Sequence, residues 1–238
     1  MNFVPTALEF DTYGQNGQNG GVPTSLYFDP YDNNGGTALG LSGEDYSIVA
    51  SDTRQSSGFD IYSRCDQKAT KLTENSVLAL GGFRADGRSL TKRIIQRMEW
   101  YRHAHEKEMS FRAISQLLSV TLYSRRFFPY YAFSLLGGLD ENGKGVVCSF
   151  DSVGSYHDEP SCVVGSGSAL MQSFVDNQIA FHNQQVNNEP ISLEKAIRIV
   201  KDSFDGVAER DIYTGDSLDI FIITRDGVTT EQYPLRKD

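Results

Sequence analysis

Asn34-Gly35-Gly36-Thr37-Ala38-Leu39 leads through Ser42-Gly43-Glu44-Asp45 into Ile48-Val49-Ala50-Ser51-Asp52-Thr53-Arg54. Two apolar stretches around a polar, glycine-bearing turn predict a β-hairpin, and its second strand ends in an acid. A carboxylate that follows Ile48 to Ala50 is expected to be partly buried. In that setting it must be paired or hydrogen-bonded, or it loses its charge. Lys68, sixteen residues beyond Asp52, is the best candidate partner, and Gly36 stands sixteen residues before it.

This spaced triplet resembles the start of a mature proteasome beta-type subunit, a member of the N-terminal-nucleophile hydrolases. The resemblance implies a threonine nucleophile at the Gly36 position, exposed by self-cleavage, with Asp52 and Lys68 tuning the site. Glycine has no side chain to attack with, so the sequence reads as a member whose peptidase chemistry has been lost. The alternative is an active threonine peptidase, cleaved between Gly36 and Thr37 and using Thr37. Strand side chains alternate faces, so a one-residue slip turns Thr37 away from whatever Gly36 faces, and the turn gives no sign of a compensating deletion.

The same resemblance assigns Gly82 as a backbone donor to an oxyanion, together with Ser166 in Gly165-Ser166-Gly167-Ser168, Asp211 in Glu209-Arg210-Asp211-Ile212-Tyr213, and Thr214 before Gly215. Taken singly, such residues are common on surfaces and in loops. In joint order they form a relic site in which Asp52, Lys68 and Asp211 are expected to serve as one polar network. The runs Tyr123 to Tyr131 and Ser149 to Tyr156 are similar to the sixth beta ring position, whose members are called beta type-1 or type-6. The implied partners are the fifth and seventh beta neighbours of the ring, beta subunits of the opposite ring and alpha-ring subunits, in a 28-subunit hetero-oligomer. A free-standing interaction domain on the same fold is a third possibility.

Composition narrows the remaining classes. The 238 residues are 39% hydrophobic and 22% charged, ordinary globular values that suit one large domain. No apolar run approaches the roughly 20 residues of a membrane helix. A net charge of −9 argues against nucleic acid as a partner. The first basic residue is Arg54, so no basic signal or transit region is expected. Cys65, Cys148 and Cys162 lack ligand spacing, which argues against a metal site or disulfide framework and suits a reducing compartment, cytoplasmic and nuclear. No cofactor is implied. His103 and His105, two apart on a helix, do not face each other and read as a solvated helix end.

Along the chain, residues 1–34 are rich in Gly, Asn and Gln and read as a flexible extension or propeptide before a domain at 35–238. Strands are expected at Lys71-Leu72 with Ser76 to Leu80, the latter delivered to a tight backbone site at Gly81-Gly82, at Tyr130 to Leu136, and at Val146 to Phe150. Two helices precede the second of these, one with the stripe Leu90, Ile94, Met98 and Tyr101, the other capped by Ser110 with Ile114, Leu117, Leu118 and Thr121. A third helix from Ser168 is expected to place Leu170, Met171, Phe174 and Ile179 inward, and a fourth, capped by Ser192, Leu193, Ile197, Val200, Phe204 and Val207. Asp226-Gly227 marks a closing hairpin. Arg125 and Arg126 lie among aromatics expected to be buried anchors between helix and strand. This order is α+β with antiparallel sheets, and the resemblance specifies a four-layer αββα sandwich.

Overall fold

The computed structural model describes residues 30–180 and 190–238, so most of the 1–34 extension lies outside the described residues. Residues Asn33–Asp238 make up one compact unit. Its strands in chain order are β1 (Thr37–Ser42), β2 (Ser47–Asp52), β3 (Gln55–Ser57), β4 (Asp60–Ser63), β5 (Ala69–Thr73), β6 (Ser76–Gly82), β7 (Ala132–Leu139), β8 (Gly145–Phe150), β9 (Tyr156–Glu159), β10 (Ser161–Gly165), β11 (Ser217–Thr224) and β12 (Gly227–Pro234). The helices are α1 (Arg84–His105), α2 (Phe111–Tyr123), α3 (Ser168–Val175) and α4 (Leu193–Ala208), with a π-helical turn, Asp176–Ala180, extending α3.

Two five-stranded antiparallel sheets result, in the orders β10-β1-β2-β11-β12 and β5-β6-β7-β8-β9. Between them Ala38, Val49, Val77, Ala79, Leu135, Val147 and Phe221 form a closed apolar layer. The alternate residues of the same strands face outward. Leu39, Leu41, Ile48 and Ala50 meet Met171, Val175, Val200 and Phe204 of α3 and α4, while Leu78, Leu80 and Leu136 meet Leu90, Ile94, Ile114 and Leu118 of α1 and α2. The period of two along each strand therefore supplies both apolar layers, and the expected αββα sandwich is the observed architecture. Each fully buried Leu or Ile stabilises the stack by roughly 1.5–3 kcal/mol relative to exposure.

Local signals explain the element ends. Ser110 caps α2, its hydroxyl accepting from the Ala113 amide at 3.4 Å. Ser192 occupies the N-cap of α4 in extended backbone, but its side chain makes no cap bond. At α3 the expectation was half wrong. Met171, Val175 and Ile179 are buried, whereas Leu170 and Phe174 are 51% and 40% exposed. Two apolar stripes lie side by side on this short helix, and the sheet takes the one that Val175 continues.

A second correction concerns the junction of α2 and β7. Tyr130 is buried there, but Tyr123, Phe127 and Phe128 are exposed, Phe127 at 88%. The tight turns of Ser124 to Phe128 curl these side chains away from both layers. The short strands β3, β4, β9 and β10 had no sequence expectation of their own. Of these β10 matters most, because it pairs with β1 and delivers Gly165 opposite Thr37.

Candidate functional site

The site lies where β1 begins, bounded by the ends of β2, β6 and β10 and by the loop from Asp211 to Asp216 that leads into β11. Asp52 is fully buried at the end of β2. Its Oδ1 accepts the Thr37 amide at 2.9 Å and lies 3.1 Å from Lys68 Nζ. Its Oδ2 accepts the Arg54 and Gly215 amides, both at 3.3 Å. Burial pushes the Asp52 carboxyl above its ordinary value, against the opposing pull of the Lys68 charge and the Thr37 and Gly215 amides.

Lys68 is equally enclosed. Its ammonium donates to the carbonyls of Asp52 at 2.9 Å and Arg54 at 2.5 Å, besides pairing with Asp52 Oδ1. Three acceptors match its three protons. Gly36 sits against this pair with φ +84°, and a Cβ placed there would overlap Lys68 Cε and come within 2.9 Å of Nζ and 3.0 Å of Asp52 Oδ1. The missing side chain thus points at the lysine, and the backbone occupies a region that side-chain-bearing residues avoid.

Thr37 faces the other way. Its Oγ1 accepts the Gly167 amide at 2.9 Å and lies 2.7 Å from Thr214 Oγ1, which in turn donates to Asp211 Oδ2 at 2.7 Å. With the Thr214 proton directed to the carboxylate, the Thr37 hydroxyl is the donor to Thr214. Ser166 Oγ donates to the same Asp211 oxygen at 2.6 Å, and the Ser166 amide donates to Gly36 O at 3.0 Å. The expected network of Asp52, Lys68 and Asp211 is therefore two separate clusters. Asp211 bonds to the hydroxyls and to the Tyr213 amide, while Thr37 bridges the clusters through its amide on one side and its hydroxyl on the other.

Gly82 ends β6 beside these groups, and its carbonyl accepts the Asn34 amide at 3.2 Å. Asn34 closes the site: its Oδ1 accepts from the Arg84 amide at 2.8 Å, its Nδ2 donates to Ser56 O at 3.2 Å, and its own carbonyl accepts the Ser56 amide. About 10 Å³ remains beside Asn34, Lys68 and Gly82, at the lower limit for a single water. Sequence reasoning missed Asn34, which ends a polar, glycine-rich run. It also missed the buried pair Arg54–Asp216 at 2.8 Å, in which Arg54 Nη1 further donates to Ile212 O at 2.9 Å. The only early signal for Arg54 was its place two residues after Asp52. Among the described residues no group of three or more His, Cys, Asp or Glu could hold a metal ion.

The family model described as proteasome subunit matches residues 32–223. The chain belongs to the proteasome subunit family. Within it the likeness is to beta-type members. The chain is 50% identical over 204 residues to proteasome subunit beta type-1-B of Carassius auratus, covering 85% of this chain and 86% of that one. It is 49% identical over 208 residues to beta type-1 of Arabidopsis thaliana, covering 85% and 93%. It is 40% identical over 248 aligned residues to beta type-6 of Saccharomyces cerevisiae, covering 99% and 94%. Among proteasome subunits, then, this is a beta-type chain of the branch named type-1 or type-6, with glycine where Lys68 and Asp52 converge.

Proposed function

We propose that this chain is a non-catalytic beta subunit of the 20S proteasome core particle, at the sixth beta ring position. It helps to wall the chamber in which ATP- and ubiquitin-dependent protein degradation takes place, while threonines of other beta subunits cut the peptides. Its neighbours are the fifth and seventh beta subunits of its ring, beta subunits of the opposite ring and alpha-ring subunits, in a 28-subunit assembly of the cytoplasm and nucleus. Asp52, Lys68, Gly82, Ser166, Asp211 and Thr214 form a relic site that now holds the start of β1 in place.

The single observation that carries this proposal is the direction of the absent side chain. At Gly36 a hydroxyl-bearing residue would be beside Lys68, the relation a tuned nucleophile requires, and glycine supplies no atom to attack with. Use of Thr37 instead would require its hydroxyl to leave Thr214 and the Gly167 amide and turn across the strand.

Native mass and chain composition of the assembly purified through this subunit test the proposal, combined with determination of its N-terminus. The expected result is a 28-chain particle in which this chain does not begin at Thr37. Recovery as a free monomer, or an N-terminus at Thr37, would overturn it.

A further inference from the structure

The outer face of α1 carries a charge pattern opposite to that of the chain. Residues 84–131 contain ten Lys or Arg and four Asp or Glu, within a chain whose net charge is −9. Lys92, Arg93, Arg97 and Trp100 recur at helical spacing along one side of α1, and Arg125 and Tyr130 face them from the far end of α2. Together they border an open groove of about 470 Å³ whose lining includes no carboxylate. Among the described residues none of its four cations forms an ion pair. The nearby acids are engaged elsewhere: Asp86 accepts the Tyr131 amide, and Glu99 pairs with Arg102. Trp100 is 75% exposed and Arg125 stacks on Tyr130, 4.7 Å from the ring centre.

Four like charges on one groove repel one another, and the fold gains nothing from gathering them unanswered. Arginines beside exposed aromatic rings are the composition of protein interface cores. From Lys92 to Trp100 the helix advances about 12 Å at 1.5 Å per residue, so an occupant that pairs with the cations and also covers Trp100 is an extended segment, not one small anion. We infer that this groove is the docking site for an acidic segment of another protein chain, whose Asp or Glu carboxylates pair with Lys92, Arg93, Arg97 and Arg125 while an apolar residue covers Trp100. This deepens the proposed function by stating the chemistry of one subunit contact.

The test uses the native assembly purified through a tagged copy of this chain. A carbodiimide, which joins amines to carboxylates without a spacer, is expected to couple Lys92 to an Asp or Glu of a second chain. Lys92 is also expected to acetylate at least about tenfold more slowly in the assembly than in the denatured chain, as burial of its amine at an interface requires. A chain carrying Arg93→Glu and Arg97→Glu is expected to be retained roughly a hundredfold less well, because like charges then meet. Arg93→Lys with Arg97→Lys should restore retention.

Three results would overturn the inference: Lys92 acetylating in the assembly as fast as in the denatured chain, full retention of the charge-reversed chain, or protection of Lys92 that appears only on adding inositol hexakisphosphate. A tagged chain recovered outside any large particle contradicts the proposed function instead. Coupling of Lys92 to an acidic residue of another chain there would still uphold the groove.

Discussion

The two sides of the Gly36–Thr37 peptide differ in what they could do. On one side a buried ion pair, Lys68 and Asp52, is saturated with hydrogen bonds and faces a residue that has no side chain. On the other, three hydroxyls and a carboxylate form a directed chain from Thr37 through Thr214 to Asp211, with Ser166 joining at its end. The side with the tuned charge lacks the nucleophile, and the side with the hydroxyls lacks the charge. Nucleophilic chemistry needs both at one point, so a site can keep almost all its parts and still have nothing that attacks. In the proposed function what remains in each half is structural, and the halves should then respond differently to substitution.

The largest effect is expected on the charged side. Lys68→Met leaves the Asp52 carboxylate buried without a counter-charge, and chemical denaturation should register a loss of about 3–5 kcal/mol. Adding Asp52→Asn should recover part of that loss, because the uncompensated charge is then gone. Equal losses in the single and double variants would mean that packing, not charge, dominates this half.

Gly36→Thr comes next. The new Cβ overlaps Lys68 Cε, and the backbone is held at φ +84°, so strain and overpacking should together cost about 2–5 kcal/mol in the uncleaved chain. If this variant is as stable as the parent, the backbone has freedom to rotate and the site is less rigid than its hydrogen bonds imply.

On the hydroxyl side Thr37→Val keeps the shape and removes the hydroxyl, leaving the Gly167 amide without its acceptor. A loss of about 1–3 kcal/mol is expected by the same measurement. A loss as large as that of Lys68→Met would erase the distinction between the halves.

The smallest effect separates two carboxylates by pH. Burial raises the Asp52 carboxyl above its unfolded value, so relative to Asp52→Asn the parent should gain stability as acidification passes down through the folded value towards about 3.9, the unfolded one. Asp66 is the reverse. Burial pushes it up, but the hydrogen bond and charge of Arg84 and the hydrogen bond of Arg88 outweigh this and hold its carboxyl low. Relative to Asp66→Asn, its contribution should be present above about pH 3.9 and fade as pH falls through its folded value. Stability profiles of the two Asn variants from pH 3 to 7, measured against the parent, give the two signs.

The legible and illegible parts of the molecule divide along physical lines. Strand alternation around Leu39 and Val49, the helical stripes of α2 and α4, and the Asp226-Gly227 turn are local patterns, and they carried the α+β antiparallel reading, while the resemblance supplied the sandwich. The spacing from Gly36 to Asp52 to Lys68 was legible through the resemblance to proteasome beta-type subunits, and the four short strands β1 to β4 fold back to bring the three residues together. The separation of Asp211 from Lys68 was not visible, since it depends on how the loop from Asp211 to Asp216 is pinned by Arg54, a contact across 162 residues. Asn34 was hidden for another reason. Its run has the composition of an extension, and only the closing contacts to Gly82, Ser56 and Arg84 give it a fixed place. At α3, Leu170 and Phe174 show that an apolar stripe states an affinity for apolar surroundings without saying which surface supplies them.

The proposed absence of a nucleophile is tested most directly by exposing the native particle to an epoxyketone probe, which requires both the hydroxyl and the free amine of an N-terminal threonine. Intact-mass analysis of each separated chain then reads the adducts. This chain should keep its unmodified mass while other beta subunits of the same particle gain the mass of the probe. A covalent adduct on Thr37 would contradict the account.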